Sequence, residues 1–135
     1  MIQPQTVLKV IDNSGAASVR CFNILRKQKR IGYLGDILVG SVRETRQLEE
    51  NKANAKVQRV TKGQVVHAVV VRSRKETRRP DGTYVRFDDN ACVLVDLNDK
   101  KKGIMPRGTR VMGCVAEELR RRGMTKILSL SPAVL

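Results

Sequence analysis

Short apolar runs separated by turn residues fill the first third of the chain. Residues 6–11 form a run rich in β-branched side chains, and residues 18–25 alternate apolar and polar positions at a period of two, as half-buried strands do. Between them, residues 12–15 (Asp-Asn-Ser-Gly) have the composition of a tight turn. A third run, 37–42, contains Gly40, which predicts a bulge or a bend. The pattern therefore predicts consecutive strands of a curved sheet.

The middle of the chain predicts a central strand and a hairpin. Residues 65–71 are almost continuously apolar, which is typical of a strand covered on both faces. Residues 72–82 carry many Arg and Lys side chains and end in Pro-Asp-Gly, a turn sequence, so a return strand is expected to begin at Thr83. A further apolar run, 91–97, predicts another strand.

Two segments lack a strand pattern. Residues 43–60 are rich in Glu, Gln, Asn, Lys and Ala without a clear period, which predicts an inserted loop or a short helix crossing the surface. In the last third, three apolar positions share one helical face, with Glu117 and Glu118 near the N-terminal end of the predicted helix, Arg residues 120–122 near its other end and Gly123 after them. These positions, Val115, Ala116 and Leu119, predict a short helix within a C-terminal helical segment, 114–135.

Length and charge narrow the class of protein. With 135 residues the chain fits one domain, 1–135. Its formal net charge of +14 creates a field that attracts nucleic-acid phosphates. Aromatic residues make up only 3%, which argues against a platform that stacks successive unpaired bases and favours a protein that recognises the shape and backbone of folded RNA. The first residues do not resemble a secretory or import signal, and no apolar run is long enough to span a membrane, so we expect no membrane partner.

Three basic clusters, 20–30, 72–86 and 107–126, lie at turns or element ends, and we expect them to converge on one RNA-binding surface. The hairpin is the first choice for insertion beside an RNA groove, because planar guanidinium groups bind phosphate oxygens in pairs. The predicted RNA-binding residues are Arg20, Arg26, Lys27, Lys29, Arg30, Arg72, Arg74, Lys75, Arg78, Arg79 and Arg86.

Catalysis and metal binding have little support in the sequence. His67 lies in the apolar run without a nucleophile or carboxylate at an informative spacing, and residues 88–90 (Asp-Asp-Asn) lack the spaced ligands of a calcium loop. The three cysteines are too far apart for a zinc motif and are interpreted as structural thiols of a reducing compartment. We therefore predict no enzyme, no cofactor and no metal. The alternative function is a free OB-like RNA-binding factor or RNA chaperone, and a hydrolase using His67 and Cys92 is a distant third.

Six stretches spread along the chain form a recognisable set of motifs. They are residues 12–16 (DNSGA), 68–72 (AVVVR), 78–82 (RRPDG), 86–94 (RFDDNACVL), 108–110 (GTR) and 129–135 (SLSPAVL). Together they resemble the large-subunit ribosomal protein L-fourteen family across nearly the whole chain. The resemblance implies a mainly β fold: a small antiparallel five-stranded β-barrel with a projecting basic hairpin and short C-terminal helices.

The resemblance also implies partners. Members of this family bind large-subunit ribosomal RNA, pack beside the L-three and L-nineteen ribosomal proteins and contact small-subunit rRNA at intersubunit bridges. They also receive a ribosome-silencing factor, and the positions that match its site are Thr109, Arg110 and Lys126. Compared with bacterial relatives, segments 43–60 and 98–107 are expanded in a way that resembles mitochondrial members. The expected location is therefore the ribosome of the mitochondrial matrix, with the bacterial cytoplasm as the alternative.

Overall fold

The computed structural model of the chain describes residues 1–25, 30–47, 57–97 and 103–135. Predictions for Arg26, Lys27 and Lys29, and for half of each of the segments 43–60 and 98–107, fall outside these residues. The described strands are β1 (Val7–Val10), β2 (Ala16–Ile24), β3 (Ile37–Thr45), β4 (Val65–Arg72), β5 (Thr77–Arg78), β6 (Tyr84–Val85), β7 (Ala91–Asp96), β8 (Met105–Pro106), β9 (Cys114–Val115) and β10 (Ala133–Val134), and the described helices are α1 (Glu118–Arg121) and α2 (Thr125–Leu130).

Five strands close into a barrel in the order β1-β2-β3-β4-β7, and β1 returns to pair with β7. The closing pair is parallel, with Lys9 beside Ala91 and Val10 beside Cys92, whereas the other four pairs are antiparallel. Closure leaves none of these five strands as an open edge. The predicted mainly β, five-stranded barrel is confirmed, and its antiparallel character holds for every pair except the one that closes it.

Alternate positions of the barrel strands supply the interior. On β4, both alternate sets are buried, because Val69, Val70 and Val71 are all 0% exposed. The outer set is covered by the C-terminal segment, whose Ala116 donates its backbone N–H to the carbonyl of Val71 at 3.2 Å. The predicted coverage on both faces thus holds from Ala68 to Val71, whereas Val65 at the start of the strand is 60% exposed and His67 is half-buried. The interior set comprises Leu8, Val10, Val19, Cys21, Leu38, Val42, Val66, Ala68, Val70, Cys92 and Leu94.

The irregularity predicted at Gly40 lies mainly in the neighbouring strand. Gly40 pairs with Cys21, and the next pair joins Val39 to Asn23, so that Phe22 of β2 is the extra residue of a bulge. Gly40 itself allows close approach, since a Cβ there would stand 2.5 Å from the Arg20 carbonyl oxygen. The prediction of curvature was right, but the bulge belongs to the partner strand.

The C-terminal segment differs from its prediction. It begins and ends in strands, because β9 and β10 pair in parallel, and Val115 therefore belongs to a strand instead of the predicted helix. The cause is that the backbone of Val115 is engaged by a distant residue: its carbonyl accepts the N–H of Leu135 at 2.9 Å. At the other boundary, residues 43–45 extend β3 into the predicted loop 43–60. Within the described part of the chain, no helix has the length and apolarity needed to cross a membrane.

Candidate nucleic-acid interface

The basic hairpin is built by β5 and β6, in which Thr77 pairs with Val85 and Arg78 with Tyr84. Its turn is closed by the Arg79 N–H, which donates to the Thr83 carbonyl at 2.8 Å. Gly82, at φ +86°, takes the left-handed conformation that such a turn requires. The Asp81 carboxylate accepts hydrogen bonds from the Thr83 hydroxyl at 2.7 Å and the Thr83 N–H at 3.0 Å, which lower the pKa of Asp81. The turn is therefore fixed by its own side chains.

Alternation divides the hairpin into two faces. Thr77, Arg79 and Val85 are half-buried, which places them on the face toward the protein body. Arg78 and Arg86 are exposed and lie on the opposite face. The outer face is the one that an extended polyanion can reach.

Arg79 has an intramolecular partner although the sequence places it among the RNA-binding residues. Its Nε lies 2.7 Å from Glu118 Oε1 in α1, its guanidinium also donates to the Leu135 carbonyl, and its side chain is 26% exposed. The hydrogen bond to Glu118 raises the pKa of the Arg79 guanidinium. This geometry fits a residue that docks the hairpin onto the C-terminal segment.

Arg72 is also largely enclosed. Its side chain is 16% exposed, and its Nε lies 3.5 Å from Asp89 Oδ1 without a hydrogen-bond partner. Its terminal nitrogens lie against Gly113, where a Cβ would stand 3.4 Å from one of them. Arg72 is therefore held between Asp89 and Gly113, with only a small part of its side chain at the surface.

The base of the hairpin carries two exposed cations, Arg74 and Lys75. The backbone of Arg74 is held by its N–H, which donates to the Asn90 side-chain oxygen at 2.9 Å. Lys75 Nζ lies 2.7 Å from Glu76 Oε1, and this hydrogen bond lowers the pKa of Glu76. At the base, the positive charge of Lys75 is therefore offset by Glu76, and Arg74 is the second exposed cation.

The first basic cluster approaches this base through the start of the chain. Arg30 is exposed two residues before Gly32, whose backbone forms a bridge with Ile2. The Met1 amino group donates to Ser73 Oγ at 2.5 Å, and burial lowers the pKa of that amino group. The first two residues of the chain thus contact both the segment that follows the 20–30 cluster, at Gly32, and the start of the 72–86 cluster, at Ser73.

Arg20 lies on the outside of the barrel, where it is exposed on β2 between Val7 of β1 and Ser41 of β3. A surface depression beside Val7 is lined by Lys9 and Arg74, together with the acidic groups of Glu44, Asp88 and Asp89. The barrel wall therefore continues from the hairpin base toward Arg20, with mixed charge between them.

A cleft of about 290 Å³ beside Arg72 contains two cations that the sequence analysis missed. Lys9 and Arg46 line it together with Arg72, whose Nε lies 3.5 Å from the Asp89 carboxylate. The Arg46 side chain is oriented by a hydrogen bond, in which its guanidinium donates to the Val10 carbonyl at 2.5 Å. Lys9 could have been identified from its polar position in an alternating strand, whereas Arg46 fell within a segment predicted as a loop.

A second surface surrounds Thr109 and Arg110, which are exposed. Asn13 holds their backbone: its side-chain oxygen accepts the Thr109 N–H at 2.8 Å and the Arg110 N–H at 3.1 Å. Its side-chain nitrogen donates to Thr109 Oγ1 at 2.9 Å. Gly108 allows this approach, because a Cβ there would lie 2.6 Å from the Asn13 oxygen.

Lys126 of α2 completes this second surface. It is exposed, and its amino group contacts the Met105 sulfur in β8. Lys126 therefore lies beside β8, and Thr109 and Arg110 follow β8 by three and four residues along the chain.

The turn that holds this surface is buried. Asp12 is 1% exposed, and its carboxylate accepts the backbone N–H groups of Ser14 at 3.0 Å and Leu94 at 2.9 Å. Burial raises the pKa of Asp12, and the hydrogen bonds from Ser14 and Leu94 oppose this effect. The sequence predicts the turn from its composition, but turn composition alone does not indicate burial.

His67 and Cys92 do not form a catalytic pair. His67 pairs with Val95 while Cys92 pairs with Val70, three positions along the same ladder, which is about 10 Å. Cys92 is fully buried, and burial raises the pKa of its thiol. Among the described residues no group of three metal-binding side chains is assembled.

Replacing Asn13 with Ala should loosen the Thr109–Arg110 backbone. We expect faster hydrogen exchange of these two amides and a loss of about 1–2 kcal/mol in the free energy of unfolding, because one side chain satisfies both N–H groups. Asn90→Ala is the matched control, since it removes a similar contact to Arg74 and should leave the Thr109 and Arg110 amides protected. Unchanged exchange in the Asn13 variant would contradict this anchoring role.

Replacing Arg79 with Ala should destabilise the fold, whereas Arg78→Ala should not. We expect a loss of about 1–2 kcal/mol for Arg79, because its guanidinium makes three hydrogen bonds in a partly shielded site, two to Glu118 and one to the Leu135 carbonyl. For the exposed Arg78 we expect a change below about 0.5 kcal/mol. Urea unfolding of both variants measures the difference, and equal stabilities would show that the two faces are not distinct.

A family comparison agrees with the charge distribution and the barrel. The family model described as ribosomal protein L14p/L23e matches residues 1–135, which is the whole chain. This is a family of structural ribosomal proteins and not of enzymes, so the prediction that the chain is not an enzyme is confirmed. The chain belongs to the ribosomal protein L14p/L23e family and is a structural component of the large ribosomal subunit, with rRNA and neighbouring ribosomal proteins as its partners.

Proposed function

We propose that this protein binds large-subunit rRNA chiefly through the outer face of its hairpin and the adjoining barrel wall. The observation that carries the proposal is the division of the hairpin: Arg78 and Arg86 are exposed on one face, while Arg79 is paired with Glu118 on the other. Exposed guanidinium groups on a rigid arm bind phosphates without first losing an internal partner. From the hairpin base, the RNA path continues over Arg74, Arg30 and Arg20.

The cleft beside Arg72 extends this path to a single phosphate site. Three cations line it, against one neighbouring carboxylate, that of Asp89 at 3.5 Å from Arg72 Nε, so positive charge is in excess at the cleft. In this role Arg72 contributes from inside the protein, whereas Lys9 contributes from the exposed outer wall of the barrel. The predicted residues Arg26, Lys27 and Lys29 keep their assignment as RNA contacts from the sequence alone.

The second surface, Thr109, Arg110 and Lys126, is the proposed contact with the small subunit at an intersubunit bridge. Its rigid anchoring by Asn13 supports a role in docking, because a fixed backbone loses little entropy when a partner binds. A ribosome-silencing factor that occupied the same residues would block subunit joining. Proteins of the L-three and L-nineteen families are the proposed neighbours.

The proposed compartment is the mitochondrial matrix, on the basis of the expanded segments 43–60 and 98–107. Recovery of a tagged chain from mitochondrial ribosomes tests this, and recovery only from cytoplasmic ribosomes would contradict it. The alternative of a free OB-like factor or RNA chaperone shares the barrel and the charge, but membership of a structural ribosomal family favours the assembled particle.

Removing both Arg78 and Arg86 should weaken rRNA binding and reduce its salt dependence. We expect the slope of log K against log salt to fall by about 2, since each lost phosphate contact removes about one unit. The control is the double variant Arg59→Ala and Lys62→Ala, which loses the same charge from exposed residues before β4. Equal slopes for the two double variants would remove the hairpin from the RNA surface.

Removing Thr109, Arg110 and Lys126 together should leave incorporation into large subunits intact but weaken subunit joining. We expect roughly tenfold weaker joining, because a few central interface residues carry most of the binding energy. Light scattering of mixed subunits measures joining, and sucrose gradients verify incorporation. Normal joining by fully substituted large subunits would exclude this surface from the bridge.

A further inference from the structure

The outer face of the hairpin contains an aromatic side chain that the charge argument leaves unused. Tyr84 is 64% exposed, the highest value among the large apolar side chains of the described residues. It lies on β6, away from the chain ends. A single exposed aromatic residue needs no explanation by itself, so its surroundings decide whether it carries a function.

Tyr84 shares the outer face of the hairpin with the two exposed guanidinium groups. Arg78 is its direct partner across the hairpin, and Arg86 follows two residues later on the same face. Side chains directly opposite each other in an antiparallel pair have Cβ atoms about 5 Å apart. The ring and both guanidinium groups therefore form one exposed cluster, in which Arg78 lies across the strand pair from Tyr84 and Arg86 lies about 7 Å farther along the strand.

The backbone that carries this cluster is fixed by contacts in the turn and on the inner face of the hairpin. The turn is closed by hydrogen bonds from Arg79 and Thr83, and the inner face is docked by the ion pair of Arg79 with Glu118. The position of the Tyr84 backbone is thus fixed without any contribution from its own ring. A tyrosine side chain has only two torsions to order. On a fixed backbone it therefore loses little conformational entropy when it contacts a ligand.

The cluster of Tyr84, Arg78 and Arg86 matches the chemistry of a nucleotide. A nucleobase offers a flat face that stacks on an aromatic ring, and the phosphates on its two sides are separated by one residue of the nucleic-acid chain. The scarcity of aromatic residues excludes a platform for successive bases, but it does not exclude one stacked base.

We propose that Tyr84 stacks on a single unpaired base of rRNA while Arg78 and Arg86 bind the phosphates that flank it. The proposal rests on the proposed function, because it specifies what the hairpin contacts. The ligand is an unpaired base in a loop, bulge or strand end, since bases inside an A-form helix are not available for stacking.

The two contributions are separable by their response to salt. Stacking releases no counterions, so Tyr84→Ala should weaken binding roughly tenfold without changing the salt slope. Tyr84→Phe should bind like the wild type, because it keeps the ring. Phe22→Ala is the matched control: Phe22 is an aromatic residue 47% exposed at the β2 bulge, and its loss should leave affinity unchanged.

A direct probe is available because the chain has two tyrosines and no tryptophan. In a Tyr33→Phe protein labelled with fluorotyrosine, Tyr84 gives the one tyrosine ¹⁹F resonance. We expect this resonance to move upfield when an rRNA fragment that binds the wild-type protein is added, because a stacked base shields the ring. Tyr84→Val, which keeps a β-branched strand former at this position, replaces the Ala variant if that variant unfolds.

The outcomes separate this inference from the function on which it rests. If the wild-type protein binds the fragment but the resonance does not move and the Ala and Val variants bind equally well, stacking is overturned and rRNA binding stands. If Tyr84 variants lose a neighbouring ribosomal protein and keep RNA affinity, the ring belongs to a protein interface and the inference is overturned. If the folded wild-type protein binds no rRNA fragment, both fail.

Discussion

The buried carboxylate of Asp12 connects the two strands that close the barrel. It follows β1 and accepts the backbone N–H of Leu94 in β7, so the parallel closing pair is supported by a side chain as well as by its ladder. Removing a carboxylate from water costs several kcal/mol unless hydrogen bonds replace the lost solvent. Three donors from Ser14 and Leu94 do so here. Asn13, the next residue, then orients Thr109 and Arg110, so barrel closure and the second surface depend on one turn.

In the hairpin, side chains at successive positions point to opposite faces, and this alternation separates an arginine with an internal partner from two exposed ones. Its inward face carries Arg79 and its outward face carries Arg78 and Arg86. All three residues are arginines. They differ in that the Arg79 guanidinium is paired with the Glu118 carboxylate, whereas Arg78 and Arg86 are exposed. The inward pair fixes the arm, and the outward guanidinium groups are exposed on the opposite face, where the proposed phosphate contacts lie.

Local pattern sufficed for the positions of the main strands, whereas the closed five-stranded barrel was expected only from the family resemblance. The alternation in β2 and the continuous apolar run of β4 gave their positions within one or two residues. Where distant partners decide, local pattern failed: Val115 fits a helical face, but its carbonyl bonds with Leu135, twenty residues away. The candidate site shows the same limit. The hairpin was identifiable from its turn and charge, whereas the pairing of Arg79 with Glu118 depends on how the C-terminal segment folds back.

The arrangement of the hairpin makes it sensitive to length in a way that composition would not reveal. Adding or deleting one residue between the barrel and the turn would rotate the arm by one pleat, so that Arg78 would meet Glu118 and Arg79 would point to solvent. The charge would be the same and the ring of Tyr84 would be turned inward. Among related chains, the number of residues in this arm should therefore vary less than their identity.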